Sequence, residues 1–139
     1  MNIVVIDAQG AGLGQAIIKK LLKSIDKSYM HIIALGTNST AASNMLKCGA
    51  NIGISGEKPI CSFCKENKID CLIGPIGAIC SNGIHGEITP LISKTLFCLE
   101  CTKYIIPLRK CGIYIPGTTD FKIKDMIDEI ILDIKRSIL

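Results

Sequence analysis

Ile3-Val4-Val5-Ile6-Asp7-Ala8-Gln9-Gly10-Ala11-Gly12-Leu13-Gly14 decides how the rest of this chain is read. Four β-formers end in a carboxylate, three glycines follow at alternate positions, and helical spacing of apolar residues begins at Leu13. The pattern predicts strand, glycine-rich loop, helix. Glycine lets a backbone turn sharply and approach an anion closely. The helix behind it supplies unpaired N–H groups and a positive dipole end.

Outward from that stretch, Leu13, Ile17, Leu21, Ala16, Ile18, Leu22 and Ile25 form one apolar stripe and Lys19, Lys20 and Lys23 fall opposite, which predicts a helix over 12–24. A second buried strand is expected over 30–35. Gly36-Thr37-Asn38-Ser39-Thr40 repeats the opening arrangement, a flexible residue followed by good N-caps, before a helix over 40–47 with Gly49 just past its end. A strand over 50–54, a short helix over 58–67 and a strand over 69–73 follow. That last strand runs into Gly74-Pro75-Ile76-Gly77.

Residues 81–90 form the longest loop, and long loops in compact domains usually cover or form a site. Pro90 opens a helix that reaches 99 or 101, and a strand spans 103–108. A short extra edge strand is expected over 112–115. Thr118-Thr119-Asp120 caps a last helix whose Ile123, Ile127, Ile130, Ile131, Ile134 and Ile138 face the core or a partner.

Strands alternating with helices at this spacing make the chain α/β, one domain over 1–139. The expected architecture is a three-layer Rossmann-like parallel sheet of order 3-2-1-4-5, helices on both faces, with the extra edge strand beyond it. Right-handed crossovers put the glycine loops together on the carboxyl rim of the sheet.

Composition narrows the function classes. The net charge of +4 comes from lysines scattered among acids, without the basic clusters and interleaved aromatics of a nucleic-acid surface. The run 71–79 is interrupted by Gly74, Pro75 and Gly77 and falls well short of the roughly 20 apolar residues of a membrane span. Without a charged leader segment, a cytoplasmic protein is expected. Its eight cysteines then read as thiols, with Cys48, Cys71 and Cys80 assigned to packing.

The first glycine loop has two uses open to it: a phosphate or pyrophosphate cradle made by the backbone of Gly10, Ala11, Gly12, Leu13 and Gly14, or a tight turn that binds nothing. Gln15 stands where a third fingerprint glycine belongs in one dinucleotide pattern, and Ala8 replaces the first glycine of another. After the second strand there is neither the acid that holds an adenosine ribose nor an arginine for a 2′-phosphate, which disfavours a nicotinamide dinucleotide. Thr37, Asn38 and Ser39 would bind a sugar or second phosphate, or simply cap a helix. Gly74, Pro75 and Gly77 would complete the site. A nucleotide or dinucleotide fits the pattern, its identity open.

Asp7 either holds a cation or ligand amine or bonds the amides of its own loop. His31 opens a strand and is structural. His85, with Glu87 nearby, is an acid–base candidate or an exposed loop histidine. Cys61/Cys64 and Cys98/Cys101 have zinc-like spacing, but the second pair falls in a helical stretch without the turns of a zinc knuckle, so plain thiols are favoured and no metal is assigned.

Ile3–Gly10, Gly36-Thr37-Asn38-Ser39, Gly74-Pro75-Ile76-Gly77 and Gly86-Glu87-Ile88-Thr89-Pro90 together resemble a small bacterial family of Rossmann-like proteins, a domain of unknown function. The resemblance spans essentially the whole chain and implies a complete protein, with no catalytic residue to carry over. Members of that family usually have glycine where Ala8 stands and fewer cysteines, which weakens the dinucleotide fingerprint and a family-wide metal role.

Binding of a phosphate-bearing small ligand at the glycine loops is the leading expectation. A small enzyme using Asp7, His85 and Glu87 is one alternative. A homo-oligomeric regulatory or assembly subunit, joined through the isoleucine-rich last helix, is another.

Overall fold

The structure, a computed structural model, describes residues 1–109 and 112–138. Its centre is β1 (Asn2–Asp7), whose Ile3 and Val5 enter one apolar cluster while Val4 and Ile6 enter another. All four are fully buried. A strand buried on both faces gives an unbroken hydrophobic run, which is why residues 3–6 carry no alternation.

β2 (His31–Gly36), β3 (Ile52–Ser55), β4 (Cys71–Pro75) and β5 (Thr102–Ile106) complete a parallel sheet of order β3-β2-β1-β4-β5. Helices α1 (Gly12–Ser24), α2 (Ser39–Lys47) and α5 (Ile123–Ile138) pack on the Ile3/Val5 face, and α3 (Glu57–Glu66) and α4 (Pro90–Phe97) on the Val4/Ile6 face. The α/β class, the strand order and the helices on both faces are as expected from the sequence.

β1 stays paired with β2 to its last residue, Asp7 opposite Gly36. With β4 the pairing ends earlier, at Val5 opposite Ile73. The two chains therefore part on the β4 side, at the point where the strand order reverses, and the carboxyl rim opens there into a crevice.

Several boundaries differ from expectation. Residues 112–115 form no strand, so among the described residues the sheet has no sixth member. β5 stops at Ile106 because Pro107 has no N–H to donate. α4 ends at Phe97, leaving Cys98 as its C-cap and Cys101 in the bend before β5; that cysteine pair is not helical. The last helix begins at Ile123, past the capping residues proposed for it, and Thr118 instead closes a turn onto the Ile115 carbonyl at 2.6 Å. Ile127, Ile131 and Ile134 are buried in the chain's own core, with Ile130 and Ile138 packed against them.

No helix among the described residues is long and apolar enough to cross a membrane.

Candidate functional site

The turn from β1 into α1 is held from beneath by Asp7. The residue is 7% exposed, and its carboxylate accepts the Ala8 N–H and the Gly14 N–H, each at 2.8 Å. Of the two uses open to Asp7, bonding to its own loop is the one these contacts serve.

The glycines divide by purpose. Gly14 lies outside the cavity described below, its amide is taken by Asp7, and a Cβ there would come 2.5 Å from Met45 Sδ; it lets α1 sit close to α2. At Gly10 and Gly12 an added Cβ would meet nothing within 4 Å. Nor do these two supply the unusual torsions: the left-handed residues are Gln9 (φ 53) and Ala11 (φ 59). Their bareness thus answers to no packing demand among the described residues.

Ala11 is the N-cap of α1 and offers no side chain to cap it. The first amides of a helix have no partner within the helix. Gln9 N–H finds Glu87, Ala11 N–H the Ala8 carbonyl and Gln15 N–H the Ala11 carbonyl. The N–H groups of Gly10, Gly12 and Leu13 have no acceptor among the described residues. They stand at the positive end of the 13-residue α1.

On the β2 side the arrangement is closed. Glu87 Oε1 accepts Thr37 Oγ1 at 2.6 Å, Asn38 Nδ2 at 2.9 Å and Gln9 N–H at 3.1 Å, which ties the loops after β1 and β2 to the segment before α4. Asn38 also caps α2, its Oδ1 accepting from Ala41 N–H at 2.8 Å, and its Nδ2 reaches the Gln9 carbonyl at 3.2 Å. Partial desolvation pushes the Glu87 carboxyl up, but the bonds from Thr37, Gln9 and Asn38, with His85 nearby, outweigh it and hold the acid below its ordinary range. Thr37 and Asn38 are therefore engaged within the protein, and Ser39 is the exposed first residue of α2.

On the β4 side the crevice holds a cavity of about 680 Å³, lined by residues 7–13, 75–77 and 80–85 with Leu108 and Ile113. Gly74 is not on its wall; it is buried under Ile6, whose Cγ2 would lie 2.5 Å from an added Cβ. Pro75 and Gly77 do line it, and Gly77 is pressed by Ile84, 2.9 Å from where its Cβ would be. The segment that contributes Ile84 and His85 to the wall carries consecutive left-handed residues, Ile84 (φ 52), His85 (φ 54) and Gly86 (φ 80). For a β-branched residue that conformation is a true outlier.

Asp7 and His85 share the cavity wall, whereas Glu87 lies outside it with its oxygen turned to the β2 side. The three residues proposed for acid–base work do not converge. Sequence reasoning missed Leu108 and Ile113 as walls and assigned Cys80 to packing alone; Cys80 lines the cavity while its thiol donates to the Ile76 carbonyl at 3.3 Å.

The seven described cysteines are all free, Cys111 lying outside the described residues. Burial pushes the Cys64 thiol up to about 11, helped by Cys61 and Cys101, and the Cys71 thiol up to about 12. Among the described residues no group of three or more His, Cys, Asp or Glu side chains is placed to hold a metal ion.

Residues 2–139 match the model of a family described as Domain of unknown function (DUF3842), and the chain belongs to that family. No curated protein matches it. A solved structure described as an arsenate reductase in the phosphate binding state is similar at 15% identity, over 99% of this chain and 98% of that one, with a TM-score of 0.47. A likeness of that degree passes no activity to this chain.

Proposed function

We propose that this member of the DUF3842 family is a cytoplasmic protein that binds a small phosphate-bearing ligand, a nucleotide or phosphorylated metabolite, in the crevice between β1 and β4. The phosphate sits on the Gly10, Gly12 and Leu13 amides at the start of α1. The observation that carries the proposal is that these three donors lack an acceptor among the described residues, beside a cavity of about 680 Å³, with no side chain on the two glycines. Hydrogen bonds to a charged acceptor contribute on the order of 1.5–3 kcal/mol each. The helix dipole adds to them.

Both carboxylates of the acid–base alternative accept hydrogen bonds from the protein's own loops, so the proposal includes no reaction.

Titration with inorganic phosphate, a nucleoside monophosphate and a sugar phosphate tests it. Amide resonances of Gly10, Gly12 and Leu13 are expected to shift first, and a ligand at a hundred times its Kd to add about 2.7 kcal/mol of stability. Gly12→Asp is expected to fold, since a carboxylate in the first turn suits the helix, and to lose the response. If none of these compounds moves the melting temperature or those resonances, the proposal fails.

A further inference from the structure

Building on the phosphate site proposed above, we infer that the pocket takes a compound with a single phosphoryl group and a compact, largely apolar remainder, and that Glu87 makes it reject dinucleotides. In a doubly wound sheet a dinucleotide lies across the rim, its two halves on either side of the first strand. Here the two sides are unequal. On the β2 side, the three donors that would meet a ribose or second phosphate, Gln9 N–H, Thr37 Oγ1 and Asn38 Nδ2, all converge on one oxygen of Glu87.

Glu87 thus occupies that half as a built-in ligand. It is anchored by its neighbours: Ile88 is fully buried, the Ile88 carbonyl accepts Asn82 N–H at 2.8 Å, and Thr89 Oγ1 donates to Glu57 at 2.6 Å. An incoming phosphate would have to break three hydrogen bonds to a carboxylate held in its ionised form and sit beside its charge.

The β4 side remains open, and its character is apolar. Leu13, Ile76, Ile84, Leu108 and Ile113 surround the cavity beyond the amides. A cavity of about 680 Å³ lies within the range that encloses one small molecule. The matching ligand is a phosphomonoester whose other part has a flat or aliphatic face.

Calorimetric titration of the full chain with inorganic phosphate, adenosine monophosphate and NAD, in wild type and Glu87→Ala, decides the matter. In wild type, phosphate and the monophosphate are expected to bind and NAD to bind no better than the monophosphate. Glu87→Ala frees the three donors and is expected to raise NAD affinity relative to the monophosphate by about tenfold. NAD binding wild type about tenfold more tightly than the monophosphate overturns the inference and leaves the phosphate site standing.

A folded Glu87→Ala with no relative gain for NAD also overturns it, because the exclusion then lies elsewhere. Should that variant fail to fold, Glu87→Gln, which keeps the size and one accepting oxygen but not the charge, is expected to show a smaller gain in the same direction, and its absence counts against the inference. Failure of phosphate and the monophosphate to bind either protein removes the site itself.

Discussion

At the ends of β1 and β2 the chain makes the same manoeuvre, from a buried strand through glycine into a helix, and the two turns finish in opposite states. After β2 the N-cap is Asn38, which bonds the Ala41 amide and, with Thr37, is tied to Glu87. After β1 the N-cap is Ala11, which has no side chain to cap the helix, and three amides have no acceptor among the described residues. Glycine count does not distinguish the two turns. What separates them is whether a polar side chain stands at the cap and whether a carboxylate reaches in from elsewhere.

The comparison is best broken at the glycines. Gly36, in the β2 turn, has the Ala42 backbone nitrogen 2.4 Å from where a Cβ would be, so Gly36→Ala should cost about 3 kcal/mol in urea denaturation. Next in size, Asp7→Ala strands the buried Ala8 and Gly14 amides and should cost about 2 kcal/mol by the same measurement, loosening the β1 turn without touching the β2 turn. Asn38→Ala removes a cap together with one bond to Glu87 and should cost about 1 kcal/mol; a null result there would mean that the Thr37–Glu87 bond is enough to hold the second turn.

Smaller still is an acid effect. Because the Glu87 carboxyl is lower in the folded protein than its ordinary value of 4.5, its contribution is complete above that value and is lost as pH falls through the folded one. Wild type should therefore lose more stability than Glu87→Gln as pH is lowered from about 5 toward 3, a window set by the usual glutamate range. Parallel acid limbs would show that the clasp does not feel the charge. The smallest change is expected at Gly10→Ala, within about 0.5 kcal/mol of wild type. Its phosphate response should nonetheless weaken, because the methyl enters the open space in which the proposed phosphate would sit.

The sheet was legible because a doubly buried β1 writes itself as consecutive Ile and Val, and because β2, β3 and β4 each run into or up to a glycine. The carboxyl rim followed from topology alone. That residues 10–14 lie between strand and helix was readable from the glycine pattern, but that the Gly14 amide is taken by Asp7 was not. The Glu87 clasp was not: its partners Thr37 and Asn38 lie 50 and 49 residues away, and a hydrogen bond across that separation leaves no periodicity. The left-handed torsions at Gln9, Ala11, Ile84 and His85 were equally hidden, since tertiary contacts override a local preference that points to glycine. Leu108 and Ile113 lie beyond a strand that Pro107 cuts short, where no pattern says which way the chain turns.

The early parting of β1 from β4 leaves a cavity whose parts are unequally open to change. The floor beneath the cavity is set by backbone, with Gly74 wedged against Ile6 and unable to gain an atom. Leu108, Ile113 and Ile76 are side chains on segments outside the sheet and are freer to be exchanged. Substitutions at Leu108, Ile113 or Ile76 would therefore reshape the cavity while the strand floor beneath it stays as it is.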